Sequence, residues 1–220
     1  MDAQARIVPG RLDPFRDPDP DARQRRELTL VKLNKIYTRT GDGGLAGLVD
    51  GSRVSKCSAR MAAIGEVDEA NTAIGMAIAL LDGEIAEALT RIQNEMFDCG
   101  ADIATPGGGD ASDSEYALRI VERQVTRLEE EIDAMNATLS PLTSFILPGG
   151  SAAVAALHFA RAVVRRAERA TVALAQSERV NPNALAYLNR LSDHLFVVAR
   201  AVAAQSGGDV LWQPGATRTS

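Results

Sequence analysis

Pro148-Gly149-Gly150-Ser151-Ala152-Ala153-Val154-Ala155-Ala156-Leu157-His158-Phe159-Ala160-Arg161-Ala162-Val163-Val164-Arg165-Arg166-Ala167-Glu168-Arg169 is the stretch on which the fold turns. The proline and two glycines cannot sit inside a helix, Ser151 is a favoured N-cap, and no proline or glycine follows until Pro182. The spacing predicts a helix from Ser151 to about Gln176. Asn181-Pro182 then opens another, to about Gln205, with the proline in its preferred first-turn position. Upstream, Ser114 to Met135 carries Ile120, Leu128 and Ile132 on an apolar side between Glu and Arg residues. Glu84 to Ala104 stops at Thr105-Pro106-Gly107-Gly108-Gly109, and Ser58 caps a first helix that reaches Leu81 before Asp82-Gly83. Five helices of about 20 residues on short connections predict an all-α fold, a five-helix antiparallel bundle.

Composition agrees. Of 220 residues 45% are apolar, 24% charged and only 4% aromatic, a mixture suited to packed helices rather than to a sandwich or barrel. The net charge of -5 argues against binding nucleic acid through a basic surface, which needs clustered cations to release counterions. Cys57 and Cys99 form no disulfide framework, no apolar run is long enough to cross a bilayer, and no secretory leader is legible. A cytoplasmic protein with no membrane partner is expected. Residues 1–33 read as a flexible arm: the first 30 hold four prolines with six arginines balanced by six acids. The bundle domain is expected over 34–214, followed by a tail over 215–220.

Three groups of residues could carry chemistry. The first lies in the long loop 34–56, where Thr38-Arg39-Thr40-Gly41-Asp42-Gly43-Gly44 combines glycines, hydroxyls, a guanidinium and a carboxylate. These are the parts of a triphosphate and magnesium site, although the Gly-Lys-Ser/Thr ending of a Walker A loop is missing; the same composition also suits an exposed turn. The second is Arg161, Arg165 and Arg169, spaced i, i+4 and i+8 on one helix face with Glu168 the only acid between His158 and Glu178. Either water solvates this stripe, or carboxylates of another helix or a polyanionic ligand must answer it. The third is polar: Glu66, Asp68, Glu69 and Asn71 on the first helix, and Asn189 with Asp193 on the fifth. His158 and His194 lack ligand spacing for zinc, and no serine or cysteine stands in a nucleophile setting. A nucleotide-handling protein so equipped leaves the attack to a substrate or cofactor.

The segments Lys35-Ile36-Tyr37-Thr38-Arg39-Thr40-Gly41-Asp42-Gly43-Gly44, Gly65-Glu66-Val67-Asp68-Glu69-Ala70-Asn71 and Phe97-Asp98-Cys99-Gly100-Ala101-Asp102-Ile103-Ala104 occur in that order. Phe145-Ile146-Leu147-Pro148-Gly149-Gly150, His158-Phe159-Ala160-Arg161, Arg165-Arg166-Ala167-Glu168-Arg169 and Leu188-Asn189-Arg190-Leu191-Ser192-Asp193 follow, with Asp209-Val210-Leu211-Trp212 at the end. Together they resemble the PduO-type ATP:cob(I)alamin adenosyltransferases. The resemblance implies a homotrimer with active sites at subunit interfaces, where the glycine loop of one subunit and the arginine helix of its neighbour hold ATP. It places Thr38, Arg39, Thr40, Gly41, Asp42, Gly44 and Lys56 on the triphosphate. Arg165, Glu168, Arg169 and Asn189 would hold ATP and its Mg2+, with Glu168 touching a metal held mainly by the phosphates. Asp68 and Arg161 would bridge subunits, and Phe145 would close the lower face of the corrin and keep cobalt four-coordinate.

The implied reaction is attack of cob(I)alamin on the 5′ carbon of ATP, giving adenosylcobalamin and triphosphate, in a cell that also holds a cobalamin reductase and an adenosylcobalamin-dependent mutase. Alignment of the two reactants can contribute about 7–11 kcal/mol. Two positions depart from the family pattern: Ala46 stands where a Thr or Ser is usual, and Ala70 replaces a common Leu. Ala46 keeps open a second reading, a non-catalytic carrier that binds adenosylcobalamin and delivers it to a mutase. A third is a helical oligomer whose arginines only form ion pairs.

Overall fold

The computed structural model describes residues 37–109 and 117–218, so the arm 1–33, Ser114 and the last two tail residues lie outside the described residues. Five helices follow a short hairpin: β1 (Leu45–Gly47), β2 (Arg53–Ser55), α1 (Ala59–Ile78), α2 (Gly83–Ile103), α3 (Glu122–Asn136), α4 (Ala152–Ala175) and α5 (Pro182–Ala204). The expected caps form. The Ser58 and Ser151 hydroxyls accept from the N–H groups of Met61 and Val154, and Asn181 Oδ1 accepts from Asn183 N–H ahead of Pro182.

Each helix runs opposite to its predecessor. Arg60, at the start of α1, donates to the carbonyl of Ile103 at the end of α2 and to Glu178 beyond the end of α4, while Glu168 of α4 meets Asn189 of α5. The exception to a purely antiparallel bundle is the side-by-side pair α3 and α5, which run parallel because Glu129 meets Arg190 and Glu131 meets His194 further along both helices. Alanines recur every seventh residue on α1 (Ala63, Ala70, Ala77) and on α4 (Ala160, Ala167), all fully buried, and these two helices pack along most of their length. The common Leu replaced by Ala70 therefore falls in this seam. Ile74, Leu89, Ile92, Leu128, Leu157, Leu188 and Leu191 fill the centre, each contributing about 1.5–3 kcal/mol by burial.

Two sequence expectations change. The segment read as loop contains β1 and β2, paired antiparallel with Ala46 opposite Val54, so among the described residues the fold is helical apart from this hairpin and one isolated bridge, Ile146 to Leu211. And α3 begins at Glu122, because residues just before it make tertiary bonds that a helix would forbid. Ile120 N–H donates to Asp102 Oδ2 (2.8 Å), and its carbonyl accepts from Asn181 Nδ2 (2.9 Å). Ile120 is thus buried from an extended segment rather than from the helix. Among the described residues no helix is long and apolar enough to cross a membrane.

Candidate active site

The hairpin holds the glycine loop in a defined turn. Asp42 N–H donates to Arg39 O (3.3 Å), Gly44 N–H to Gly41 O (3.1 Å) and Lys56 N–H to Gly44 O (2.9 Å), closing the loop against the end of β2. Gly44 takes φ +80, which glycine tolerates, but Arg39 takes φ 61, a conformation costly for a side chain of that kind and concentrated at functional positions. The Thr38 and Thr40 hydroxyls lie 2.8 Å apart, and the Arg39 guanidinium sits 5.7 Å over the Tyr37 ring. Lys56 folds back so far that a Cβ on Gly41 would lie 3.1 Å from its Nζ. One short turn therefore gathers Thr38, Arg39, Thr40, Gly41, Asp42, Gly44 and Lys56 on an exposed rim. Arg53, which the sequence did not single out, donates through Nη2 to Thr40 O at 2.6 Å and braces the turn from β2. Behind the hairpin, Val49 N–H donates to Ala104 O (3.2 Å), so the loop hangs from the C-terminus of α2.

A second cluster lies between α4, α5 and the segment before α4. A cavity of about 570 Å³ is lined by Phe145, Arg161, Arg165, Asp193 and Phe196 among others. Phe145 is 77% exposed, an unusual state for so large an apolar ring, with Trp212 against it edge-on at 6.0 Å. Arg161 is half-buried, lies 5.9 Å over the Phe196 ring, and has a buried Nε with no acceptor. Burial, and next the charge of Arg165, lower its pKa. His158 is buried behind it with neither ring nitrogen hydrogen-bonded, and burial followed by Arg161 lowers its pKa below the ordinary histidine range. Sequence reading singled out neither Asp193 and Phe196 as lining this cavity nor Trp212 as packing on Phe145 beside it. Asn189, Asp193 and Phe196 share an i, i+4, i+7 face that could have signalled the first two, whereas nothing local marked Trp212.

Along α4 the arginines divide. Arg165 is exposed at the cavity, and Arg169 is exposed one turn on, its Nη1 donating to Arg165 O (3.1 Å). Glu168, half-buried between them, accepts from Asn189 Nδ2 at 2.8 Å. Arg166 faces α1 instead and pairs with both Glu66 and Glu69, chiefly Glu66, which raises its pKa. These two acids thus answer an arginine outside the i, i+4 stripe. Asp68 points elsewhere, into an apolar cavity of about 440 Å³ beside Phe97 and Met96, so one chain does not bring Asp68 and Arg161 together. Cys99 is buried in the core, which pushes its thiol up and out of reactive use. Among the described residues no three His, Cys, Asp or Glu side chains gather as a metal site. The histidines are both core residues, His194 through its Nε2 to Glu131 Oε2 at 2.8 Å.

A family model described as cobalamin adenosyltransferase matches residues 36–202. The chain is similar to the corrinoid adenosyltransferase of Mycobacterium tuberculosis (50% identical over 194 residues, 86% of this chain and 98% of the relative). It is also similar to that of Bacillus subtilis (47% over 189 residues, 83% and 94%). Among solved structures, a PduO-type ATP:corrinoid adenosyltransferase from Lactobacillus reuteri with a phenylalanine changed to alanine, complexed with cobalamin and ATP, superposes with a TM-score of 0.75 at 37% identity, covering 81% of this chain and 99% of that one. An arginine-to-lysine variant of the same protein, complexed with ATP, gives 0.74 at 38% identity, covering 81% and 100%. The chain belongs to the cobalamin adenosyltransferase family.

Proposed function

We propose that this protein transfers the 5′-deoxyadenosyl group of ATP to the cobalt of cob(I)alamin, releasing triphosphate. The observation that carries the reading is the cavity shared by exposed Phe145, Arg161 and Arg165, whose two serine hydroxyls, Ser144 and Ser192, each donate to a backbone carbonyl. An apolar plate and cations on one wall suit a flat corrin next to a polyphosphate. The electron pair of Co(I) forms the cobalt–carbon bond while the C5′–O bond breaks and its electrons leave with the triphosphate. The protein's task is alignment and charge stabilisation.

In this reading Thr38, Arg39, Thr40, Gly41, Asp42, Gly44 and Lys56 cradle the triphosphate, and Arg165 and Arg169 take up charge as it departs. Asn189 and Glu168 position the ATP. The Glu168 carboxylate, oriented by the Asn189 amide, is a hard oxygen donor of the kind Mg2+ takes beside phosphate, and Mg2+ would be held mainly by the phosphates. Phe145 screens the lower face of the corrin from water and from an axial ligand. The glycine loop hangs from α2 and the arginines line a cavity at α4 and α5, an arrangement suited to sites completed between subunits of a homotrimer. Asp68 and the unanswered Nε of Arg161 would supply one bridge. The domain spans 34–214, between an arm (1–33) and a tail (215–220). A cytoplasmic setting, with a reductase supplying Co(I) and a mutase consuming the product, completes the reading.

The test is an anaerobic assay with chemically reduced cobalamin, ATP and Mg2+, followed by the adenosylcobalamin spectrum. Arg165→Ala is expected to lower turnover by about 100-fold or more, the scale of a lost charge stabiliser, and Asp42→Ala to lower it through lost loop order or metal contact, both with the wild-type sedimentation coefficient retained. Absence of product at any ATP concentration overturns the proposal. Ala46 favours one other reading, the carrier, which calorimetry would reveal as tight binding of adenosylcobalamin and weak binding of ATP.

A further inference from the structure

Phe145 is too exposed for the core to hold it, so its orientation must come from the backbone that carries it. That backbone is one side of a short ladder. Leu147 N–H donates to Val210 O (2.8 Å), Trp212 N–H to Phe145 O (2.7 Å), and the Ser144 hydroxyl to Trp212 O (2.8 Å). Ile146 and Leu211 form the antiparallel bridge between these bonds. A single antiparallel bridge with its flanking hydrogen bonds is marginal by itself in water. It is rooted at one residue. Arg200, near the end of α5, is 6% exposed and donates Nε to Asp209 Oδ2 (3.1 Å) and Nη2 to Ser140 O (2.7 Å). Ser140 leads into the segment bearing Phe145, and Asp209 leads into the segment bearing Trp212. One buried guanidinium therefore pins the base of both segments to the rigid helix.

We propose that Arg200, through Asp209 and Ser140, is a positioning residue that sets the Phe145 wall of the cavity, with Trp212 packed against that ring. A planar guanidinium can serve two acceptors in fixed directions, which a lysine cannot, so the geometry needs arginine. The inference rests on Phe145 facing the corrin.

The experiment compares Phe145→Ala, Asp209→Ala and Asp209→Asn in the full chain with the Co(II) form of cobalamin and ATP. The four-coordinate cobalt signal is read by electron paramagnetic resonance, together with kcat, the KM for ATP and Tm. Asp209→Ala is expected to lose most of the four-coordinate signal and about tenfold in kcat, with the KM for ATP within about twofold. Asp209→Asn keeps an acceptor for Arg200 and should restore most of both. Phe145→Ala should lose the signal outright. If Phe145→Ala loses it while Asp209→Ala keeps it, the clamp is wrong and the wall stands. Should Phe145→Ala itself keep the signal, the reading of the wall fails and the clamp falls with it. A fall in Tm with equal losses for ATP and corrinoid, unrestored by Asp209→Asn, would reduce Arg200 to a structural role and overturn the inference.

Discussion

Ala46 occupies the middle of β1 opposite Val54, half-buried at the base of the glycine turn. A threonine there suits a strand, being β-branched, and would add one hydroxyl beside the loop without moving the backbone. One neutral hydrogen bond is worth about 0.5–1.5 kcal/mol, so Ala46→Thr is expected to tighten ATP binding roughly two- to tenfold, measured by calorimetry without cobalamin. Unchanged affinity would place the phosphates away from β1. At this scale the 38–44 segment was legible as a tight turn from its glycines, but its composition suits an exposed turn as well as a phosphate loop, and only the family resemblance pointed to ATP. What stayed illegible was partnership. Glu66 and Glu69 read as a polar face until α1 and α4 packed and Arg166 reached both.

Helix starts and stops were legible wherever a local residue decides them. Ser58, Ser151 and Asn181-Pro182 cap in place because capping is a contact within one turn. The start of α3 is decided from afar. The Asp102 carboxylate, 2% exposed, accepts from Arg119 Nη1 (2.7 Å), Ile120 N–H (2.8 Å) and Asn181 Nδ2 (2.7 Å), joining the end of α2, the approach to α3 and the cap of α5. Removing a carboxylate from so many buried donors costs about 3–5 kcal/mol. Asp102→Ala should therefore lower Tm by roughly 10 °C, read by circular dichroism or calorimetry. A change of only a degree or two would mean that water readily replaces Asp102.

At the scale of the molecule, the arrangement of charge gives a pH signature. Burial and Arg161 hold the folded pKa of His158 below its unfolded value, so the folded protein resists a proton that the unfolded chain accepts. Stability from this site is present above about pH 6.5 and is lost as pH falls from there through the lower folded value. Wild-type Tm should thus fall more steeply than that of His158→Gln between about pH 6.5 and 5. Parallel curves would assign the acid sensitivity to other groups.

The net charge of -5 describes the whole chain and says little about the site, where Arg161 and Arg165 share one cavity and Arg39 and Lys56 share one turn. Helix number, helix order, the capping residues, the glycine turn and the family motifs were determined by sequence, because each rests on neighbours within a few positions or on ordered local patterns. Only tertiary structure decided that α3 and α5 run parallel, that Asp68 and Arg161 line separate cavities, and that Arg200 roots the two segments carrying Phe145 and Trp212. Those facts depend on which faces meet across 60 or more residues of chain, as Arg200 meets Ser140, and no local period encodes that choice.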